Sequence, residues 1–295
     1  MKLRKKTIFG SLFLLWMMCM TVLFTPVQTV EAASYPTEVK NAWVTSGNYK
    51  VKIASGNLYF KKSSKTYRIN KTIEKAYVQG SYIYYAANGG SGYTEFYVCN
   101  MSTVKTKRYY RQKNATCLGY YNKNFYFRVS YSNSTRRAFR RNISTGKTYT
   151  VSALNHAGGT AQYKNYMIVL GYRNDPKPTT LSIFKFSTNK LTKRVSNCSS
   201  ARIIGSKIYF TLSTKVGSSS TNYTHKVYNC NITGSSTRQI AAFKGYYMPP
   251  ALNKTYAYYY EKSGGSLKVR KYTYSTRSKK TSNTSAYRSL YNEMI

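Results

Sequence analysis

Along most of the chain, short runs of aromatic and β-branched residues alternate with turns built from Gly, Asn, Ser and Lys. One run recurs behind a turn: GNLYFKK at Gly56, GSYIYYAA at Gly80, NKNFYFRV at Asn122, YKNYMIVL at Tyr163, GSKIYFTL at Gly205 and NKTYAYYY at Asn253. Ile83, Phe125 and Met167 stand 42 residues apart, and Ile208 follows after 41. A second run keeps the same phase: CNMSTVKT at Cys99, RNISTGKT at Arg141, KFSTNKLT at Lys185, CNITGSST at Cys230 and TYSTRSKK at Thr273. Two independent motifs on one period mark a repeat.

Each unit parses into four short strands joined by tight turns. In the third unit these are Thr116–Tyr121, Asn124–Tyr131, Arg137–Asn142 and Lys147–Ser152. The second strand is apolar almost throughout (Tyr166–Leu170, Ile208–Leu212), which predicts cover on both faces. Four-stranded units of roughly 40–45 residues, each sandwiched between neighbours, describe the blades of an all-β, β-propeller fold. The pattern predicts six blades of four antiparallel strands, the first abbreviated to about Tyr49–Ile73. Their expected bounds are 46–75, 76–111, 112–152, 153–194, 195–240 and 241–285, within a single domain over 33–295. Five blades with an N-terminal extension are the alternative. No helical periodicity is present.

The stretches GSYIYYAANGG…YTEFYVCNMSTVKT and GSKIYFTL…HKVYNCNITGSS resemble the Gly-x-x-Ile-Tyr-Tyr…Tyr-x-Asn-x-Thr-Gly blades of TolB-like and low-density-lipoprotein-receptor-like six-bladed propellers. Many secreted Gram-positive proteins of unassigned function use such blades. The resemblance covers about Tyr49 to Tyr274 and implies an interaction platform, with no catalytic residue carried over. It departs from the receptor type, whose Tyr-Trp-Thr-Asp strand is missing here.

The N-terminus changes the reading of location. MKLRKK precedes an apolar run from Ile8 to Val27, and VEA|AS places Ala32 and Val30 at a small-residue site. This predicts a signal peptide, residues 1–32, cleaved near Ala32, with an uncleaved anchor as the alternative. No later segment is apolar and long enough to span a membrane, so an exported monomer at the cell wall is expected.

Charge then narrows the partner. The chain holds 47 Lys and Arg against seven Asp and Glu, a net charge of +40. A folded surface this basic repels itself unless counterions or a polyanion partner offset it. In an up-and-down blade the first-to-second and third-to-fourth turns share one edge. The former carry Lys123, Lys164, Lys207 and Lys254; the latter carry Lys105, Lys147, Lys190 and Lys279. Eight lysines at one edge predict a face for an anionic cell-surface polymer, such as teichoic acid or an acidic polysaccharide. No groove-reading or RNA-binding motif points to sequence-specific nucleic acid. A protein partner, with charge serving only as a tether, is the second reading.

Signs of chemistry are sparse. Glu38, Glu74, Glu95, Glu261 and Glu293 are scattered over the chain, which disfavours a glycosidase pair or a metal cage. No cofactor or metal is expected. His156, Tyr172, Arg173 and Asp175 fall in connections at the opposite edge and form the one catalytic candidate, a β-eliminating lyase of acidic polysaccharide. There Tyr or His would act as base and Arg would neutralise a uronate carboxylate. His225 reads as structural. Cys99, Cys117, Cys198 and Cys230 fit no zinc spacing and no plausible bridge, so buried free thiols are expected.

Overall fold

The computed structural model describes residues 35–171, 179–218 and 221–295; the leader and Cys19 lie outside the described residues. After an inner strand β1 (Thr37–Val39), the strands form six sheets. Sheet 1 holds β2 (Val44–Ser46), β3 (Tyr49–Ala54), β4 (Asn57–Lys62) and β5 (Lys65–Ile69). Sheet 2 holds β6 (Ile73–Gln79), β7 (Tyr82–Asn88), β8 (Tyr93–Asn100) and β9 (Lys105–Lys113). Sheet 3 holds β10 (Ala115–Tyr121), β11 (Asn124–Ser130), β12 (Arg136–Asn142) and β13 (Thr148–Thr150). Sheet 4 holds β14 (Ala157–Tyr163), β15 (Tyr166–Gly171), β16 (Thr180–Lys185) and β17 (Lys190–Ser196). Sheet 5 holds β18 (Cys198–Ile204), β19 (Lys207–Lys215), β20 (Asn222–Asn231) and β21 (Arg238–Tyr246). Sheet 6 holds β22 (Ala251–Leu252), β23 (Tyr256–Ser263), β24 (Ser266–Thr273) and β25 (Lys279–Ser282). Each set of four is an antiparallel meander in sequence order, and β1 adds a fifth strand to sheet 2 by pairing antiparallel with β6.

The first sheet corrects the sequence phase. GNLYFKK was expected on a second strand but forms β4, the third. The Ile73 amide donates to the Gly56 carbonyl at 2.8 Å, tying the start of β6 to the β3–β4 turn. That turn therefore lies at the edge opposite the β6–β7 turn. The true second strand is β3, whose YKVKIA alternates instead of running apolar. Sheet 1 has all four strands, abbreviated in length and not in number.

A helix, α1 (Thr284–Tyr291), is a second correction. The Asn283 side chain accepts from the Ala286 amide at 2.8 Å and caps it. Tyr287 and Leu290, one turn apart, pack on Ala251 and Val269 of sheet 6. Two anchors in eight residues are too few to give a visible period.

Hydrophobic clusters join consecutive sheets. Phe96 of sheet 2 meets Phe125 and Phe127 of sheet 3 at 5.1 and 5.3 Å between ring centroids. Tyr126 packs edge-on against Phe186 of sheet 4 at 4.9 Å. Ile168 and Ile183 then contact Ile208 and Phe210 of sheet 5, and Phe243 stacks on Tyr259 of sheet 6 at 4.2 Å. The far side of sheet 6 is taken by α1. Among the described residues, no hydrophobic cluster joins sheet 6 to sheet 1.

First strands converge on a narrow interior. The Lys75 ammonium on β6 reaches the Thr160 carbonyl on β14 at 2.6 Å, across two sheets. β1 lies against β6 with Thr37 opposite Val78 and Val39 opposite Ala76. Glu38 bridges that gap, pairing with Lys75 at 3.2 Å and accepting from the Gln162 amide at 2.8 Å. The Ile295 amide donates to the Ala201 carbonyl at 3.0 Å, so residues near both ends of the described chain fill the interior.

Candidate functional site

Turn geometry brings the predicted lysines together. In sheets 2 to 6 the residue after the third strand donates its amide to a carbonyl in the first-to-second turn: Met101 to Ser81, Ile143 to Lys123, Phe186 to Asn165, Ile232 to Ser206 and Tyr274 to Thr255, all within 2.8–3.0 Å. Both turns of each sheet are thereby locked to one edge. The second motif closes the third-to-fourth turn. The Asn100 side chain accepts from the Ser102 amide, and that of Asn142 from the Ser144 amide, both at 2.9 Å. This Asx bonding explains the repeated Asn-x-Ser/Thr triplets as turn chemistry.

Lys105, Lys123, Lys147, Lys164, Lys190, Lys207, Lys254 and Lys279 are all exposed at this edge. Only Lys279 is ion-paired among the described residues, at 2.7 Å from Glu261. Two of the others occupy costly backbone. The first residue of the two-residue turn has positive φ in Gly47 (57°), Gly80 (57°) and Gly205 (60°), where glycine fits without strain. Lys164 takes the same place at 53°, and Lys123 adopts 60° behind Asn122 at 44°. Left-handed backbone costs a side-chain-bearing residue roughly 1–2 kcal/mol.

At the centre of this edge lies a cavity of about 370 Å³, lined by Tyr35, Lys40, Tyr163, Lys164, Arg202 and Glu293, among others. Glu293 is paired with Arg202, and the Lys164 ammonium stands 5.5 Å from the Tyr163 ring centre. Glu38 also lines the cavity and is paired with Lys75, so both acids of this cationic and aromatic mouth are matched by a basic partner.

Two further acids, Glu95 and Glu261, are each held by several cations. Glu95 receives the Tyr97 hydroxyl at 2.5 Å and Arg108 at 2.6 Å, with Lys71 at 3.5 Å and Arg111 at 3.8 Å. The Tyr97 hydrogen bond, with help from Arg108 and Lys71, holds its carboxyl below the usual range despite burial. Glu261 is likewise lowered by Lys279 and Arg270, against the opposing cost of its burial.

Of the proposed catalytic group, only His156 is placed: it is exposed between β13 and β14. Tyr172, Arg173 and Asp175 lie outside the described residues. His225 is fully buried on β20, with Nδ1 2.8 Å from the Ser213 hydroxyl and Nε2 2.8 Å from the Tyr246 carbonyl. The carbonyl can only accept, so Nε2 carries the proton and Nδ1 accepts from Ser213. Burial lowers the His225 pKa. All four described cysteines are free and buried, and burial pushes the Cys198 thiol up to about 12.

The arginines of β11 and β12 do not form one exposed face. Arg128 is instead buried at 3% exposure and bonds the Ala157 carbonyl of sheet 4. Arg140 and Arg141 lie over the Tyr149 and Tyr110 rings at 4.9 and 4.1 Å. Much of that stretch is tied down locally. Sequence reasoning also passed over Trp43, 36% exposed beside sheet 1.

No protein family and no curated protein matches the sequence. Solved structures do match. The tricorn protease aligns over 84% of this chain at 10% identity and a TM-score of 0.50, the chain spanning 30% of its length. The fold is a β-propeller. A putative TolB from Agrobacterium tumefaciens aligns over 72% of this chain and 81% of its own, at 11% identity and a TM-score of 0.46. An uncharacterized Listeria monocytogenes protein aligns over 84% and 82%, at 11% identity and a TM-score of 0.47. At these identities the likeness concerns the propeller alone.

Proposed function

We propose that this propeller is an exported, non-catalytic binding module that holds an anionic polymer at the cell surface on its lysine-bearing edge. The carrying observation is that Lys164 takes left-handed backbone at the turn position where sister turns use Gly47, Gly80 and Gly205, and that Lys123 also adopts left-handed backbone in its own turn. Lysine there is not the low-cost turn residue, so its charge is the better reason for its presence. Seven of the eight turn lysines lack an ion pair among the described residues, and their ammonium groups remain available to phosphate or carboxylate. The basic leader and small-residue cleavage site support export, with teichoic acid and acidic polysaccharides as the polymers in reach.

Binding of teichoic acid and polygalacturonate across a salt series tests this. Log affinity should fall linearly with log salt. The triple variant Lys123→Glu/Lys164→Glu/Lys207→Glu should lose at least tenfold in affinity, whereas Lys113→Glu/Lys215→Glu at the other edge should lose far less. Equal losses from both edges, or none from the first, would overturn the assignment and turn attention to a protein partner.

A further inference from the structure

Among the described residues, sheet 1 has one side packed in a hydrophobic cluster and one side that joins none, called its bare side below. Val51, Phe60 and Tyr67, in register across β3, β4 and β5, belong to the cluster shared with sheet 2. The alternate positions point the other way, because successive strand residues face opposite sides. There Lys52 opposes Tyr59, which opposes Arg68, and Lys50 opposes Lys61. In a closed ring this side would be pressed against sheet 6, but α1 occupies that place on sheet 6. The bare side is organised. The Lys52 and Lys61 ammonium groups stand 4.8 and 5.0 Å from the Trp43 ring centre. Lys52 and Arg68 each stand 5.9 Å from the Tyr59 ring centre.

Four cations on one sheet side repel one another, since like charges directly opposed across strands destabilise a sheet. The chain from Lys40 to Ile73 contains no acid to offset them. Cation–π contacts offset part of the repulsion and hold the rings in place. The remainder calls for an external anion, and the rings call for a flat or C–H-bearing surface beside each negative charge.

We infer that the bare side of sheet 1 is a second binding surface, for a stretch of acidic polysaccharide whose sugar rings lie on Trp43 and Tyr59 while its carboxylates meet Lys50, Lys52, Lys61 and Arg68. This rests on the polyanion reading of the lysine edge and narrows it, because polyphosphate and acidic polypeptides offer charge without a sugar ring.

Trp43 supplies the readout. With Trp16→Phe, it is the sole tryptophan of the chain. Titration with polygalacturonate should shift or quench its emission saturably, and Trp43→Ala/Lys52→Glu should weaken polymer binding at least fivefold. The change should survive in Lys123→Glu/Lys164→Glu/Lys207→Glu once polymer is raised to saturate that variant. Polymer binding with silent Trp43 emission and unaltered affinity in Trp43→Ala/Lys52→Glu overturns this inference and leaves the lysine-edge reading standing. A Trp43 response with no loss from the turn-lysine variant does the reverse. Equal Trp43 responses to polyphosphate overturn the assignment to a glycan, and a stronger response to single-stranded DNA replaces it with nucleic acid.

Discussion

The amide of Ile143 donates to the carbonyl of Lys123 at 2.8 Å, joining the two turns of one sheet that carry Lys123 and Lys147. The same bond recurs in four other sheets. It sets charge placement through backbone geometry, so the lysine side chains can be exchanged without disturbing the turn that presents them. Charge reversal at these sites should therefore alter binding with little change in fold, measurable as unchanged far-ultraviolet circular dichroism and a Tm within a few degrees. Removing each contacting lysine should also reduce the salt slope by about one.

Lys164→Gly separates stability from function. Glycine relieves the left-handed backbone of this turn but raises unfolded-chain entropy, for a net gain of about 0.5–1 kcal/mol. Denaturant midpoints should rise while affinity for the polymer falls. A variant that binds as well as the parent would reduce Lys164 to a turn residue.

His225 gives a pH signature. Its pKa in the folded protein is lowered by burial, below the unfolded value near 6.5. Above that value both states are neutral and the full stability is present. As pH falls below it the unfolded state takes up the proton first, and stability declines toward the lower folded pKa. Thermal melts between pH 7.5 and 5 should show this decline, and His225→Gln should flatten it.

Glu95 gives the complementary acid limb. Its folded pKa is lowered, so its contribution is present above the ordinary carboxylate range and lost as pH falls through the folded value. Glu95→Gln should cost about 1–3 kcal/mol near neutrality, since its cationic partners are partly exposed and can be rehydrated. The difference from the parent should shrink in melts below about pH 4.

Buried thiols predict slow chemistry. Cys99, Cys117, Cys198 and Cys230 are each at most 3% exposed. A thiol reagent should leave them unmodified in the native protein and label all four in denaturant, with no prior reduction needed.

The repeat was legible because two motifs with different jobs share one period. One supplies the doubly covered second strand, seen in the near-continuous burial of β7, β11 and β15. The other supplies the Asn-bonded turn at Asn100 and Asn142. The phase failed in sheet 1 for a physical reason. With one side uncovered, β3 alternates lysine with apolar residues, while β4 imitates a second strand through Leu58 and Phe60. The lysine edge was readable because turn parity alone fixes it. Arg128 was not, since nothing local distinguishes an arginine reaching the Ala157 carbonyl 29 positions away from one facing water. Nor could sequence reveal that α1 displaces a sheet–sheet contact.

The bare side of sheet 1 also bears on how the molecule comes apart. Sheets stacked in an unbroken circle each lean on two neighbours, and none opens before the others. Among the described residues, sheet 1 has an apolar neighbour on one side only, so the stack should behave energetically as a short linear array, with ends that fray before the middle. Backbone amides of β3 and β4 should exchange with solvent well ahead of those in β11 and β15, and saturating acidic glycan should slow that early exchange. Ligand capture and the completion of the fold would then be the same event, seen from two sides.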